Sequence, residues 1–214
     1  MQKDGVYLRN VFTDHQIKLI KDLIDEQYKT KEEVSLTIEE ILSGKEMSKL
    51  RIENHSGRIR VEFAPNDMSL PLPKEVIDAV EAHAKEINPD YYLESCYYVH
   101  YQMKYGRPNL DPHLDNHPAQ YTIDYQLETN CQWDVVVEGT AYPLNDNDAL
   151  IINTNGQVHW REPRKFEEHE FVKMIFFHFS DGTQEVLPRQ ERQGRSEYWQ
   201  RVFWDKTNKI FGAQ

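Results

Sequence analysis

The sequence predicts a mainly β domain with flanking helices, a sandwich or barrel of short strands set between helical segments. Three observations predict it. From about residue 91 to 180, apolar residues recur at every second position in short runs separated by turn-forming residues, the period of half-buried strands. Before that stretch, much of the apolar patterning has three- and four-residue spacing, the period of amphipathic helices. Residues 171–179 are apolar on both faces apart from Lys173 and His178, as expected of a strand buried between two layers.

Taken in order, residues 1–48 read as mainly helical. Asp14 is placed to cap a helix carrying Ile17, Ile20, Leu23 and Ile24, and a second helical stretch over 34–42 ends near Gly44. Residues 57–63 alternate and stop before Pro65, which predicts a strand. Pro71 and Pro73 introduce a helix through Val76, Ile77, Val80 and Ala84 to about Ile87, closed by Asn88 and Pro89. Tyr97, Val99, Tyr101, Met103 and Tyr105 share one face of an alternating run. Tyr121, Ile123, Tyr125 and Leu127 share one face of another, with Thr122, Asp124 and Gln126 opposite. Short strands follow at 133–137 and, after the turn-rich 145–148, at 149–152. Trp199, Val202 and Phe203 give residues 195–211 the spacing of an amphipathic helix packed on the sheet. The expected organisation is one domain over 1–214: a helical support region at 1–90, a β core at 91–181 and a helical tail at 182–214.

The chain has 214 residues, 39% of them hydrophobic, and a formal net charge of −11. This is the composition of a soluble globular domain, and its acidity disfavours nucleic-acid backbones as partners. No apolar run approaches the ~20 residues that span a bilayer, and the first residues lack a signal-peptide core. The two cysteines, Cys96 and Cys131, make no disulfide framework, so a cytoplasmic location is expected. Oligomeric state is not encoded in any pattern of the sequence.

The chemistry concentrates in a few side chains. His113 and Asp115 flank Leu114, and on extended backbone residues two apart project to the same side. An imidazole nitrogen and a carboxylate oxygen are then offered together. His159 follows two or three predicted strands later, beyond the turn residues Asn155 and Gly156, with enough chain between to return to the same end of a barrel. Two histidines and one carboxylate on one face of a metal leave the opposite face open, the facial triad of non-haem Fe(II) oxygenases.

The stretch from Tyr97 to Asp181, with tyrosines, then His113 and Asp115, then His159, then a cation, resembles the 2-oxoglutarate/Fe(II)-dependent dioxygenase superfamily and within it the prolyl-hydroxylase-like branch. The resemblance implies a double-stranded β-helix (jelly roll), with Fe(II) on His113, Asp115 and His159, 2-oxoglutarate as cosubstrate, and O2. It further implies a basic residue after the distal histidine to hold the cosubstrate's C5 carboxylate. Lys173 is the first choice, as the cation within an apolar strand, where an unpaired charge is costly. The interval from His159 to Lys173 is longer than the branch's usual one, so Arg161 and Arg164 stand as rivals. A tyrosine donor to the cosubstrate is expected from Tyr105, with Tyr101 and Tyr125 as alternatives. His178 reads as a satisfied core histidine, His117 as a loop residue at the mouth, and Trp160 as a pocket wall or plain packing. With Asp115 present, the implied reaction is hydroxylation of an amino-acid or peptidyl C–H with release of succinate and CO2. The cluster of Arg161, Arg164 and Lys165 favours an anionic substrate. The alternatives are a cupin-like metal-binding protein, a metal-dependent non-oxygenase enzyme on the same fold, or a metal-free structural module.

Overall fold

In the computed structural model, residues 5–63, 72–115, 119–183 and 189–212 are described. Pro65, Pro71 and His117, named above, lie outside them. The elements run β1 (Val6–Leu8), α1 (Asp14–Thr30), β2 (Glu33–Ser35), α2 (Ile38–Leu42), β3 (Leu50–Glu53), β4 (Arg58–Phe63), α3 (Lys74–Lys85), β5 (Tyr92–Gln102), β6 (Tyr121–Thr129), β7 (Val135–Val137), β8 (Thr140–Tyr142), β9 (Ala149–Ile152), β10 (His159–Arg161), β11 (Phe171–Ser180) and α4 (Arg189–Phe211). Among the described residues, eight strands form one sheet in the order β1-β9-β6-β11-β5-β4-β3-β2, and β10-β7-β8 form a second. This is a jelly-roll core with helices on one side of the large sheet.

Side-chain parity along the long strands divides the interior in two. Ile175, Phe177 and Phe179 of β11, Ile59, Val61 and Phe63 of β4, and Ile123, Tyr125 and Leu127 of β6 join Ile20, Ile24, Val76 and Val80 of α1 and α3 in the main core. The opposite face of the sheet carries Val99 and Tyr101 of β5 with Val172, Met174 and Phe176 of β11. These meet Val135 and Val137 of the small sheet. The chamber between the two sheets therefore takes its side chains from this second, inner face.

Several elements depart from the sequence reading. Thr13, not Asp14, caps α1, because its side chain accepts from the Gln16 amide while Gln16 reaches back to the Thr13 amide; Asp14 then sits in the first turn, where its charge suits the helix dipole. Residues 1–48 are less helical than their spacing predicts. Val34 lies in β2, which pairs in parallel with β3, and β1 pairs with β9, so the region before residue 90 contributes four strands to the large sheet. β5 ends at Gln102, and a 3₁₀ turn over Met103–Tyr105 breaks the alternation there. The tail helix matches its pattern: Phe203 and Trp199 pack on Leu114, Val136, Val158 and Trp160, behind the small sheet. Trp160 is thus packing rather than a wall of the chamber. Cys96 and Cys131 are both free thiols. Among the described residues no helix is long and apolar enough to cross a membrane.

Two glycines position the segment that leads into the inter-sheet chamber. Gly57 has φ +59°, and a Cβ there would lie 2.3 Å from the Arg107 and Pro108 backbone; at Gly106, φ +124°, it would lie 2.2 Å from the Asn54 carbonyl oxygen. Only glycine supports both the backbone conformation and the close approach. The following residues are pinned by Asn109 N–H to Ser56 O (3.1 Å) and by Arg161 N–H to Leu110 O (3.1 Å), which delivers the chain to His113 beside β10.

Candidate metal centre

His113 enters the centre by pairing with the first residue of β10. Its N–H donates to the His159 carbonyl (3.1 Å), and its carbonyl accepts from the His159 N–H (3.0 Å), so the two histidines sit directly opposite each other on antiparallel backbone. Their rings are 4.3 Å apart, centroid to centroid. Asp115, two residues on, returns to the same side, and its amide is held by the Thr154 carbonyl (3.0 Å). One ligand atom from each of His113, Asp115 and His159 lies within 4.8 Å of the other two. The structure thus brings together the three residues that the sequence pointed to.

The histidine tautomers follow from their partners. His113 Nδ1 faces the Asp111 carbonyl (2.6 Å) and His159 Nδ1 the Gln157 carbonyl (3.2 Å). A carbonyl only accepts, so each Nδ1 carries the hydrogen and each Nε2 keeps the lone pair that a metal requires. Asp115 Oδ1 lies 3.5 Å from His113 Nε2 and 3.8 Å from His159 Nε2. Its other oxygen, Oδ2, accepts from Thr122 Oγ1 (3.2 Å), leaving Thr154 Oγ1, 3.2 Å away, to donate to Thr122. The carboxylate is thereby turned to offer one oxygen beside two imidazole nitrogens. Such a donor set fits one divalent transition-metal ion with open positions.

The electrostatics agree. Burial opposes charge on Asp115, but its contact with His113 and the fields of His159 and His178 outweigh it and hold the carboxyl well below the usual range. Burial and then the neighbouring His113 push His159 down to about 4, so it is neutral at pH 7. For His113, burial is outweighed by the hydrogen bond and charge of Asp115, which raise it.

Four residues proposed for the cosubstrate are not at this centre. Lys173 shares parity with Ile175 and Phe177, so it points to the helical side of the sheet and pairs with Glu128 (2.9 Å). Arg164 is held outside by both oxygens of Glu170 (2.6 and 2.5 Å). Tyr125 packs on Phe12 in the main core and donates to Asn147 Oδ1 (3.3 Å). Tyr105, displaced by the 3₁₀ turn, also joins the main core. The alternatives Tyr101 and Arg161 do face the chamber. Tyr101 stacks edge-on against Trp133 (5.0 Å), and Arg161, 1% exposed, lies over the same indole (4.9 Å). The Arg161 guanidinium bonds the Trp133 carbonyl and touches Met174 Sδ, with no carboxylate in an ion pair among the described residues.

Three further groups at the centre carry little signal in the sequence. His178 is satisfied by Ser95 Oγ (2.9 Å), as a core histidine should be, yet its Nε2 also lies 3.9 Å from Asp115 Oδ2. Thr122 and Asp124 are in the alternation opposite Ile123 and Tyr125, and that parity was the available signal. Asp124 is 2% exposed, its Oδ1 has no hydrogen-bond partner, and burial, followed by the charge of Asp115, pushes it up to about 8. An unfolded aspartate ionises near 3.9 (roughly). The folded chain therefore keeps this proton where the unfolded chain has lost it, and the associated stability, complete below about pH 4, is lost progressively as pH rises toward 8. In metal-free protein the Tm advantage of Asp124→Asn over wild type should widen from about pH 5 to 8 and then level, reaching several °C at roughly 2–4 °C per kcal/mol. Thermal unfolding in chelator across that range checks it; parallel profiles would show that the proton is not held.

No protein-family model and no curated protein matches the sequence. Solved structures do match. HygX from Streptomyces hygroscopicus, with nickel and 2-oxoglutarate bound, superposes with TM-score 0.58 at 9% identity, covering 87% of this chain and 86% of that one. A prolyl hydroxylase from Trichoplax adhaerens, in complex with a hypoxia-inducible-factor peptide fragment, gives 0.55 at 11% identity over 84% and 85%. A 2OG-Fe(II) oxygenase-family oxidoreductase from Burkholderia pseudomallei gives 0.53 at 12% over 83% and 84%. At these identities the likeness is one of fold, extending over most of each chain.

Proposed function

We infer that this chain, which has the fold of the 2-oxoglutarate/Fe(II) oxygenases, is itself an Fe(II)- and 2-oxoglutarate-dependent oxygenase acting on an amino-acid or peptidyl C–H. The observation that carries the reading is the convergence of His113 Nε2, His159 Nε2 and one Asp115 oxygen, each oriented by a second hydrogen bond. When bound, iron with 2-oxoglutarate would supply the oxidative step: O2 is consumed, succinate and CO2 leave, and one oxygen atom goes to the substrate. This chain's residues do the rest. Thr122 holds Asp115 in its one-oxygen orientation. Arg161 offers the cosubstrate's distal carboxylate a buried cation on the same side of β10 as His159. Tyr101 and Trp133 wall that end of the chamber. The peptide held by the Trichoplax enzyme makes a peptidyl substrate a natural candidate beside a small molecule.

Mn(II)-loaded protein should gain several °C in Tm on addition of 2-oxoglutarate, and Fe(II)-loaded protein should release succinate under O2. Lys173→Ala should leave both unchanged, because Lys173 lies on the other face of the sheet. No stabilisation by 2-oxoglutarate, with metal demonstrably bound, would favour a cupin-like protein instead.

A further inference from the structure

Beside the metal centre, the inner face of β3 and β4 holds a cluster of charged side chains that the reaction, as described, does not use. Ile59, Val61 and Phe63 are in the main core, so Arg58, Arg60 and Glu62 alternate onto the chamber side, level with Tyr101, Val99 and Tyr97 of β5. Arg51 lies opposite Arg60 on β3, and Glu53 lies opposite Arg58. Two carboxylates thus face three guanidinium groups. Glu62 is shared between Arg51 and Arg60 (2.6 Å to the latter), and Glu53 takes Arg58 Nε (2.5 Å). Arg58 also donates to the Tyr101 hydroxyl (2.9 Å). Arg51 Nε and Arg60 Nε are buried with no hydrogen-bond partner.

A surplus cation with unsatisfied donors in a low-dielectric cleft is costly until an anion meets it. Like-charged Arg51 and Arg60, paired across the ladder, add to that cost. The cluster is also within reach of the centre. His178 lies 3.9 Å from Asp115, its ring is 5.0 Å from that of Tyr97, and Arg60 stacks on Tyr97 at 3.6 Å. This places Arg60 on the β5–β4 side of the centre, whereas Arg161 stands on β10.

Resting on the oxygenase reading above, we propose that Arg60, supported by Arg58, binds an oxyanion of the substrate, a carboxylate or a phosphate, so that the molecule oxidised is an acid rather than a neutral compound. A guanidinium holds either group through two parallel hydrogen bonds. The net acidity of the whole chain does not oppose this, because the local charge of the cleft is positive.

The test uses the full chain loaded with Mn(II) and saturated with 2-oxoglutarate. The probes are the common L-amino acids, simple monocarboxylates, phosphoserine and inorganic phosphate, each organic acid set against its carboxamide, and phosphoserine against serine. Calorimetry is expected to show one or more acids binding at least tenfold tighter than the matched neutral compound. Arg60→Gln should lose about tenfold and Arg60→Lys less, with 2-oxoglutarate affinity within about twofold of wild type in both. Preference for carboxylates or for phosphates identifies the group. Equal binding of acid and neutral compound, or binding of no oxyanion by wild type, would overturn the proposal. So would loss of 2-oxoglutarate binding in Arg60→Gln, since Arg60 would then serve the cosubstrate. Should Arg60→Gln not fold, Arg60→Lys with the acid-to-amide ratio of wild type carries the decision. Failure of wild type to bind 2-oxoglutarate, with the acid preference intact, would instead sink the oxygenase reading and leave the oxyanion pocket standing.

Discussion

Asp115→Ala is expected to lose metal binding by more than about 100-fold, given that even the groups behind a metal ligand are worth roughly 10–100-fold. The reason is geometric. His113 and His159 are fixed by reciprocal backbone bonds, so two imidazole nitrogens remain, but the anion that completes the face is gone. Of the nearby carboxyls, Asp124 is kept protonated chiefly by its burial, and the Asp111 carboxylate is held by Asn109. Metal content of freshly purified protein, with Mn(II) titration of the stripped form, measures the effect, and 2-oxoglutarate turnover should vanish with it. The same substitution removes the partner that raises His113. Equal metal content in wild type and variant would remove the basis for the centre.

Much of the architecture was legible before any coordinates. The alternating run at 121–127, the short apolar run at 149–152, the two-sided apolar run at 171–179 and the spacing of Trp199, Val202 and Phe203 indicated three strands and a helix, and β6, β9, β11 and α4 occur there. His113 and Asp115 were legible because an i, i+2 pair needs only extended backbone, and His159 because a glycine turn delivers a histidine to a strand. What failed was the assignment of faces. Residues 171–179 are apolar on both sides, so the sequence offers no sign of which side meets the metal centre, and Lys173 pairs with Glu128 instead. A register shift in the β6–β11 pairing between Lys173 and Met174 adds a local irregularity that no single-strand pattern can show. Tyr105 failed differently: it lies past a 3₁₀ turn, where period-two counting no longer applies. The three-residue strands β1 and β2 are too short to announce themselves, and it is pairing with β9 and β3 that makes them strands. The arginine and glutamate cluster of β3 and β4 was hidden for a related reason: alternating charges at 58–62 give no sign that Arg51, Glu53 and Glu62 end up buried.

Arg161→Met separates the cosubstrate's anchor from the rest of the chamber. In the wild type a guanidinium that is 1% exposed contacts a backbone carbonyl, a thioether and an indole face, with neutral Asp124 as a nearby carboxyl. A buried charge in such surroundings contributes little to folding, and replacing buried ionic groups with apolar residues of similar volume is often neutral or stabilising. The metal-loaded variant without cosubstrate should therefore unfold at or above the wild-type Tm. Its affinity for 2-oxoglutarate should nevertheless fall about 100-fold, as two charge-assisted hydrogen bonds to a carboxylate, together worth about 3 kcal/mol, are lost. This pairing of unchanged or higher stability with lost binding distinguishes an anchor from a structural residue, for which both would fall together. Calorimetric titration of 2-oxoglutarate into Mn(II)-loaded protein, alongside thermal unfolding without it, gives the two values independently. If affinity is undiminished, the distal carboxylate lies elsewhere, and Arg58, which bonds the same Tyr101 that faces Arg161's partner Trp133, becomes the group to substitute next. If affinity falls as expected, Arg161 does on β10 what the sequence had led one to expect of Lys173 on β11: it brings a cation into the chamber from the strand that also carries the distal histidine, so one three-residue strand would orient both the metal and the far end of the cosubstrate.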